Sequence, residues 1–199
     1  MIVIVRSLDR DGPARARHPV WPLFDLRVRT PRLTLRVPGD GDLAGLVSLA
    51  GRSGWSAAGP DAALDVPQYF WRLRADWSPR AWRLPLVAYD DGLRPRGVRL
   101  LEAEDFASTH AVRTHAPLPA AADDELDAEM LRGVLALAFE HLGALSARAG
   151  ADDPPALLER YGFTSHGVQR RLDLDGWLRL GDAGIEVDRL DRTLFGLAA

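Results

Sequence analysis

Acidic side chains crowd one short stretch of the chain. Its carboxylates belong to Asp123, Asp124, Glu125, Asp127 and Glu129, just ahead of and within a segment of helical periodicity. Carboxylates in a first helical turn stabilise a helix by about 0.3–1 kcal/mol each, because the N-terminus carries partial positive charge. A helix that satisfies its own N-terminus in this way no longer needs an anionic ligand there.

His115 is the candidate catalytic side chain, since a neutral imidazole accepts a proton near pH 7. His110 lies five positions earlier, so an extended strand sends the two rings to opposite faces. That spacing disfavours a shared metal, and we predict no metal site. Tyr69, Trp71 and Trp82 are candidate substrate-binding residues of a pocket beside the second helix, with packing in the core as the alternative.

Three residue types are missing from the 199 residues: Cys, Lys and Asn. Without Cys there are no disulfides, thiolate nucleophiles or Cys-ligated metals. Without Lys there is no Schiff-base lysine and no lysine of a Walker A loop. A GC-rich genome accounts for the missing Lys and Asn, because their codons are AT-rich.

The charge pattern argues against nucleic acid as a partner. The net charge is −3, and Arg residues are mixed among Asp and Glu rather than clustered on a basic face. The apolar run at residues 1–5 is shorter than the core of a signal peptide, and no later stretch approaches the ~20 residues of a membrane span. We therefore expect a cytoplasmic protein that binds neither nucleic acid nor a membrane.

Residues 1–22 lack periodicity and are predicted to form an N-terminal extension, followed by a single domain over residues 23–199. Alternating apolar residues predict strands at 26–37 (interrupted at Thr30-Pro31), 82–89, 97–101, 109–115, 145–149, 168–174, 177–180 and 185–190. Predicted helices cover 43–49 (capped by Asp42 and closed by Gly51), 67–77, 126–142 (ended by Gly143) and 156–161. Residues 52–66 are predicted to be a loop. This order suits an α/β domain with a mixed, mostly antiparallel central sheet and helices on both faces.

Several strings, taken in their order, resemble the GNAT superfamily of acyl-CoA N-acyltransferases, in particular the ribosomal-protein-type acetyltransferases common in actinobacteria. The strings begin at Trp21, Ala75, Glu104, Glu129 and Tyr161, and read WPLFDLRVRTPRL, ADWSP, EDF, EM and YGF. Together they span roughly residues 21–195. The resemblance implies the GNAT fold, acetyl-CoA as acyl donor, and a small-molecule or peptide amine as acceptor.

The resemblance also implies a loop whose backbone N–H groups and glycines receive the pyrophosphate of acetyl-CoA at the start of the long helix. Anchored on Glu129-Met130, its cofactor-binding positions are Leu118, Ala122, Asp123, Asp124, Glu125, Leu126 and Asp127. Glu125 and Asp127 replace the two glycines, and Ala122 replaces a Gln or Arg. The loop is therefore degenerate by residue type.

Other positions that the resemblance singles out are altered too. Arg113 stands where the family often has a Glu that acts as base, and an Arg cannot take that proton at neutral pH. Asp153 replaces the Asn that holds the pantetheine arm, and Ala156 replaces a Ser near the leaving thiolate. Tyr161 is a candidate general acid, with packing against Gly162-Phe163 as the favoured alternative.

Three functions remain open at this point, the last of them an unrelated ligand-binding role in the cleft of this fold. The first is a GNAT-like protein without ordinary acetyl-CoA turnover, a pseudoenzyme that acts through binding, as a homodimer or with a partner protein. The second is an active N-acetyltransferase in which His115 or water accepts the proton of the amine. The sequence names no acceptor.

Overall fold

The computed structural model of the chain describes residues 18, 21–53, 64–118, 123–150, 153–167, 169–181 and 184–198. Within these residues nine strands form one sheet: β1 (Arg27–Arg29), β2 (Thr34–Arg36), β3 (Ala81–Tyr89), β4 (Pro95–Glu104), β5 (Ala111–Leu118), β6 (Ser146–Ala149), β7 (Thr164–His166), β8 (Gln169–Asp173) and β9 (Glu186–Asp188). The helices are α1 (Leu43–Ser53), α2 (Val66–Ala75), α3 (Phe106–Thr109), α4 (Asp124–Ala136, continued by a π-helical turn Leu137–Leu142), α5 (Pro155–Arg160) and α6 (Leu174–Leu178).

The strand order across the sheet is β7-β8-β6-β5-β4-β3-β2-β1-β9. β5 and β6 are parallel, and the other described pairs are antiparallel. Residues 111–114 of β5 pair with 146–149 of β6, after which β5 continues to Leu118 and β6 ends. The predicted mixed, mostly antiparallel sheet is confirmed.

Helices cover both faces because the strands alternate. On β3, Trp82, Leu84 and Leu86 face a core that is shared with α4, whereas Val87 and Tyr89 face a second core shared with α1 and α2. α4 approaches the sheet closely at Gly133, where an added Cβ would lie 3.1 Å from Leu35 Cδ1.

The long helix is confirmed, and both of its ends follow from local chemistry. The Asp123 carboxylate accepts a hydrogen bond from Leu126 N at 3.0 Å, which caps the N-terminus. Gly143 ends the helix with φ 79°, a left-handed conformation that favours glycine. Residues of α4 and its π-helical turn are buried on most sides, as their apolar circumference predicts.

Three local predictions are wrong. The segment 26–37 is not one interrupted strand, because residues 30–33 reverse the chain and β1 pairs antiparallel with β2. Asp42 does not cap α1: its carboxylate binds Gly39 N at 2.7 Å and the Arg36 guanidinium, and α1 runs past Gly51 to Ser53.

The third wrong prediction concerns the region after β8. Residues 174–180 contain the helix α6 in place of a hairpin return, because the Asp173 carboxylate accepts from Gly176 N at 2.7 Å and starts a helix. The strand predicted at 185–190 is present as β9, which pairs with β1 at the sheet edge.

Most of the predicted N-terminal extension and of the predicted loop at 52–66 lies outside the described residues. His18 is among the described residues of this extension. Its backbone N–H donates to Asp25 at 2.6 Å, and its ring lies edge-on to Phe24. Over the residues that the structure describes, no helix is long and apolar enough to cross a membrane.

Candidate functional site

A groove of about 1510 Å³ crosses the face of β3, β4, β5, β6 and β8 that α2 leaves uncovered. Its walls carry Arg83, Glu102, Arg113, Arg148 and Arg171, together with the backbone around Ala149 and Gly150. Polar side chains point into it because each strand alternates: the residues between them pack under α4 on the opposite face. The groove reaches the point where β5 and β6 part.

His115 lies beside this groove and faces Glu102 across the β4–β5 pair. The distance from His115 Nδ1 to Glu102 Oε1 is 3.8 Å, and the two side chains are 23% and 18% exposed. Arg113 Nη1 lies 3.4 Å from the same Glu102 oxygen. The site therefore holds an imidazole next to a carboxylate, an arrangement that can accept a proton from a bound amine.

The acidic residues of α4 are held by arginines from three other elements. Glu125 forms a two-contact ion pair with Arg160 of α5, at 2.8 and 3.1 Å. This exposed contact lowers the pKa of Glu125 from its ordinary value. Glu129 accepts from Arg32 N at 2.7 Å and Arg32 Nε at 2.6 Å, and also from the Thr30 hydroxyl.

Asp127, which the sequence resemblance matches to the second glycine of the loop, turns inward to a buried arginine. Arg99 of β4 has no exposed surface, and its Nη2 lies 3.3 and 3.4 Å from the two Asp127 oxygens. Its Nη1 donates to Asp153 Oδ1 at 2.9 Å. We call Asp127, Arg99 and Asp153 the buried ionic cluster. It joins α4, β4 and the segment before α5.

The buried ionic cluster lies where the two parallel strands part. Gly150 N still donates to Thr114 O at 2.8 Å, and also to Asp153 Oδ2 at 3.1 Å. A single residue of β4, Arg99, opposes both Ala116 and Pro117 of β5, which is a β-bulge that accommodates a proline inside the strand. Among the described residues, Arg99 Nε and Thr114 Oγ1 are buried without a hydrogen-bond partner.

The structure separates the predicted aromatic residues. Tyr69 is buried in the core under α1 and α2, and Trp82 is buried on the opposite side of the sheet against Trp77, Phe106 and Phe195. Trp71 is 52% exposed on the outside of α2, with Nε1 3.4 Å from Asp40. The three side chains do not meet in one pocket.

Tyr161 packs inside the protein. Its hydroxyl donates to Ala128 O of α4 at 2.9 Å, and burial raises the pKa of its phenol. The residue thus ties α5 to α4, as the packing alternative predicts.

The predicted cofactor positions have divergent surroundings. Leu118 and Leu126 are buried, Asp124 is exposed, and Ala122 lies outside the described residues.

The sequence pattern did not identify Arg99 as a functional residue, since its only local signal is an arginine inside an apolar strand. Across the described ranges, no group of three or more His, Asp or Glu side chains is arranged to hold a metal ion.

Comparison with solved structures identifies the fold, whereas no family model matches the sequence. A Vibrio cholerae protein assigned provisionally as a ribosomal-protein-serine acetyltransferase superposes with a TM-score of 0.60 at 15% identity, over 75% of this chain and 98% of that one. Spermidine N-acetyltransferase from Vibrio cholerae in complex with CoA and spermine gives 0.57 at 16% identity, over 74% and 98%. A GNAT-family acetyltransferase from Bacillus anthracis gives 0.59 at 10% identity, over 75% and 99%. The chain has the fold of the GNAT acetyltransferases.

Proposed function

We propose that this chain is a GNAT-fold protein that works by binding, as a pseudoenzyme without ordinary acetyl-CoA turnover. The observation that carries the proposal is the buried ionic cluster. Asp127 and Asp153 stand at two positions that the family resemblance assigns to cofactor contacts, and both instead engage Arg99, at 3.3 Å and 2.9 Å. Side chains that serve an internal ion pair are withdrawn from any external ligand.

The charge near the start of α4 supports the same proposal. Arg160, Arg99 and Arg32 contact Glu125, Asp127 and Glu129. Asp123 and Asp124 form no ion pair within the described residues. The N–H of Leu126, which would face a diphosphate, already donates to Asp123.

The negative charge near the start of α4 is large enough to weaken acetyl-CoA binding substantially. One like-charge contact at about 4 Å costs roughly 1 kcal/mol in water and about 4 kcal/mol at an effective dielectric of 20. A micromolar complex has a binding free energy of about −8 kcal/mol. Two or three such contacts would therefore offset much of the affinity for acetyl-CoA, and the residues present do not fit its diphosphate.

An active N-acetyltransferase is the second candidate, and one observation favours it. His115, beside the groove, and Glu102, in its lining, form a His–carboxylate pair with 3.8 Å between Nδ1 and Oε1. In that function an amine in the groove would attack the thioester carbonyl and lose its proton to His115. The N–acyl bond would form as the C–S bond breaks, and CoA would leave as a thiolate that takes up a proton. The spermidine N-acetyltransferase that shares the fold acts on an amine, but we do not assign the same acceptor to this chain.

Calorimetric titration with acetyl-CoA, at low and moderate salt, separates the two candidates. The binding function predicts no detectable heat from a site at the start of α4, and a site there with Kd below about 50 μM would overturn it. Release of CoA thiol can be followed in the same samples with a thiol-reactive dye. The chain contains no Cys, so the protein gives no background signal. Amine-dependent thiol release would establish the second candidate.

A further inference from the structure

A straight row of charged residues crosses the floor of the groove. The strand registers place Arg83 opposite Glu102, Glu102 opposite Arg113, Arg113 opposite Arg148, and Arg148 opposite Arg171. Residues directly opposite one another in a sheet project from the same face. The row therefore ends in three adjacent arginines, Arg113, Arg148 and Arg171, which we call the arginine row.

The arginine row is poorly neutralised by the protein. Arg113 is 58% exposed and meets Glu102 at 3.4 Å. Arg148 and Arg171 are exposed, and neither forms an ion pair within the described part of the chain. Like charges directly opposite on neighbouring strands destabilise a sheet. An external anion bound between the three arginines would offset this repulsion, and this explains why they lie side by side.

The geometry fixes the kind of anion. Neighbouring strands lie about 4.8 Å apart, so the three arginines span about 10 Å. Each guanidinium is planar and can hold a carboxylate or a phosphate through two parallel hydrogen bonds. A small molecule with two or more such groups matches this span, and the groove of about 1510 Å³ has room for it.

We propose that the arginine row binds a small polyanion bearing phosphate or carboxylate groups, which is the ligand of the groove. The inference extends the proposed binding function by naming the ligand class. It rests on that function only in treating the groove as a binding site, and it does not require that acetyl-CoA be excluded. Glu102 lies between Arg83 and Arg113 in the row, and Glu104 lies two residues further along β4, so both would repel the ligand's negative groups and direct them toward Arg148 and Arg171.

Inorganic pyrophosphate and citrate are suitable probes, titrated by calorimetry into the full chain at low ionic strength. We expect Kd values of about 10–500 μM for at least one of them, and weaker binding at about 300 mM NaCl. Preference for pyrophosphate would indicate a phosphate ligand, and preference for citrate a carboxylate ligand. Absence of binding by both probes would overturn the proposal.

Variants locate the site. Arg148→Gln and Arg171→Gln should each raise Kd about tenfold or more, because each removes a charge-assisted contact. Arg94→Gln is the matched control, since Arg94 is exposed in the turn between β3 and β4, away from the groove, and its removal changes the net charge equally. Equal weakening by the control and by the other two variants would contradict a specific site.

The same variants keep the two proposals distinguishable. Acetyl-CoA carries phosphates and can therefore bind weakly at the arginine row. Acetyl-CoA binding that disappears in Arg148→Gln occurs at the arginine row and supports the proposed polyanion site. Acetyl-CoA binding that persists in Arg148→Gln belongs to the α4 end and contradicts the proposed function. That outcome would not change the conclusion drawn from pyrophosphate and citrate about the arginine row.

Discussion

Arg99 Nη1 lies 2.9 Å from Asp153 Oδ1, and the two side chains are 0% and 1% exposed. The residues are 54 positions apart in sequence, on β4 and just before α5. Asp127 contacts the same guanidinium from α4. One buried cation thus fixes three elements at the end of the sheet where β5 and β6 part.

Replacing Arg99 should strongly destabilise the fold. Arg99→Met keeps the length of the side chain but leaves Asp127 and Asp153 as buried carboxylates without a cation. Breaking a buried pair in this way costs about 3–5 kcal/mol. Urea unfolding followed by circular dichroism measures the loss, with Arg179→Met as an exposed control that should change the free energy of unfolding by less than about 0.5 kcal/mol. Equal stabilities of the two variants would show that the cluster does not hold the elements together.

The two acids of the cluster should contribute unequally. Asp153 makes the shorter contact with Arg99 and also accepts from Gly150 N at 3.1 Å, whereas Asp127 lies 3.3 and 3.4 Å from Arg99 Nη2. We therefore expect Asp153→Asn to lower the free energy of unfolding more than Asp127→Asn, by about 1 kcal/mol. Chemical unfolding of both variants tests the order, and the reverse order would contradict this account.

Removing the carboxylate of Asp127 should raise the affinity for acetyl-CoA. Asp127→Gly leaves Arg99 with only Asp153 and removes one negative charge near the start of α4. We expect an affinity gain of about tenfold or more, because Asp127 and Asp153 share one cation. Removing Asp127 cancels the net negative charge of the buried ionic cluster, and one like charge at about 4 Å costs roughly 1–4 kcal/mol. Glu125→Gly should give a smaller gain, since its carboxylate is exposed and screened.

Calorimetry on Asp127→Gly, Glu125→Gly and the double variant measures this order. Circular dichroism must first establish that each is folded, because a glycine inside a helix costs about 1 kcal/mol. Asp127→Gly also removes one carboxylate from the buried ionic cluster, which costs further stability. Unchanged affinity in the folded double variant would show that Glu125 and Asp127 do not prevent acetyl-CoA binding. Asp153 would then be the next residue to test.

Glu129 should make stability depend on pH. Burial raises the pKa of Glu129, but hydrogen bonds from the Thr30 hydroxyl and from Arg32 outweigh it, and the pKa falls below the ordinary value of 4.5. A carboxyl with a lowered pKa in the folded state stabilises the protein above its unfolded-state pKa and loses that contribution as pH falls through the folded-state value. The stability difference between the native chain and Glu129→Gln should be largest near pH 7 and shrink below about pH 4.5.

Unfolding midpoints at pH 7, 5 and 3.5 measure this difference. Glu104→Gln, which removes an exposed glutamate at the end of β4, provides the comparison. A Glu129→Gln difference that stays constant across this range would mean that the carboxylate is not held in its charged form by Thr30 and Arg32.

Tyr161 should matter for stability and not for ligand binding. Tyr161→Phe removes the hydrogen bond from its hydroxyl to Ala128 O, at a cost of about 0.5–1.5 kcal/mol. Thermal unfolding measures that loss. Binding of pyrophosphate or citrate should be unchanged, and any thiol release from acetyl-CoA should persist, because the hydroxyl is buried against α4. Loss of thiol release in a stable Tyr161→Phe protein would restore Tyr161 as a general acid.

Local pattern was sufficient for much of the fold. α4 was predictable because its residues are apolar around most of the circumference and Gly143 can adopt the positive φ that ends it. α6 was not, because Asp175-Gly176 is equally suited to a hairpin turn. The helix forms because the Asp173 carboxylate accepts a hydrogen bond from Gly176 N, a local contact that competes with the turn.

The candidate site was less predictable for a physical reason. The change of residue type at Glu125, Asp127 and Asp153 was visible in the sequence, but its meaning depended on Arg99. An arginine in an alternating strand is expected to point to solvent, and nothing local to β4 indicates partners 28 and 54 residues away. The arginine row was not predictable either, since it exists only through the register of three strands, β5, β6 and β8.

Gly150 should control how closely β5 and β6 approach where they begin to part. A Cβ added there would lie 2.6 Å from His115 Cβ and 3.5 Å from its Cα, so Gly150→Ala must push the strands apart. We expect a loss of about 1–3 kcal/mol in the free energy of unfolding, together with a shift of the His115 ring signals in NMR spectra. Gly51→Ala is the control, because Gly51 is exposed inside α1 with nothing within 4 Å of an added Cβ, and the change should stabilise the protein by up to about 1 kcal/mol. If Gly150→Ala is as stable as the native chain and leaves the His115 signals in place, the strands do not need a glycine to come together beside His115.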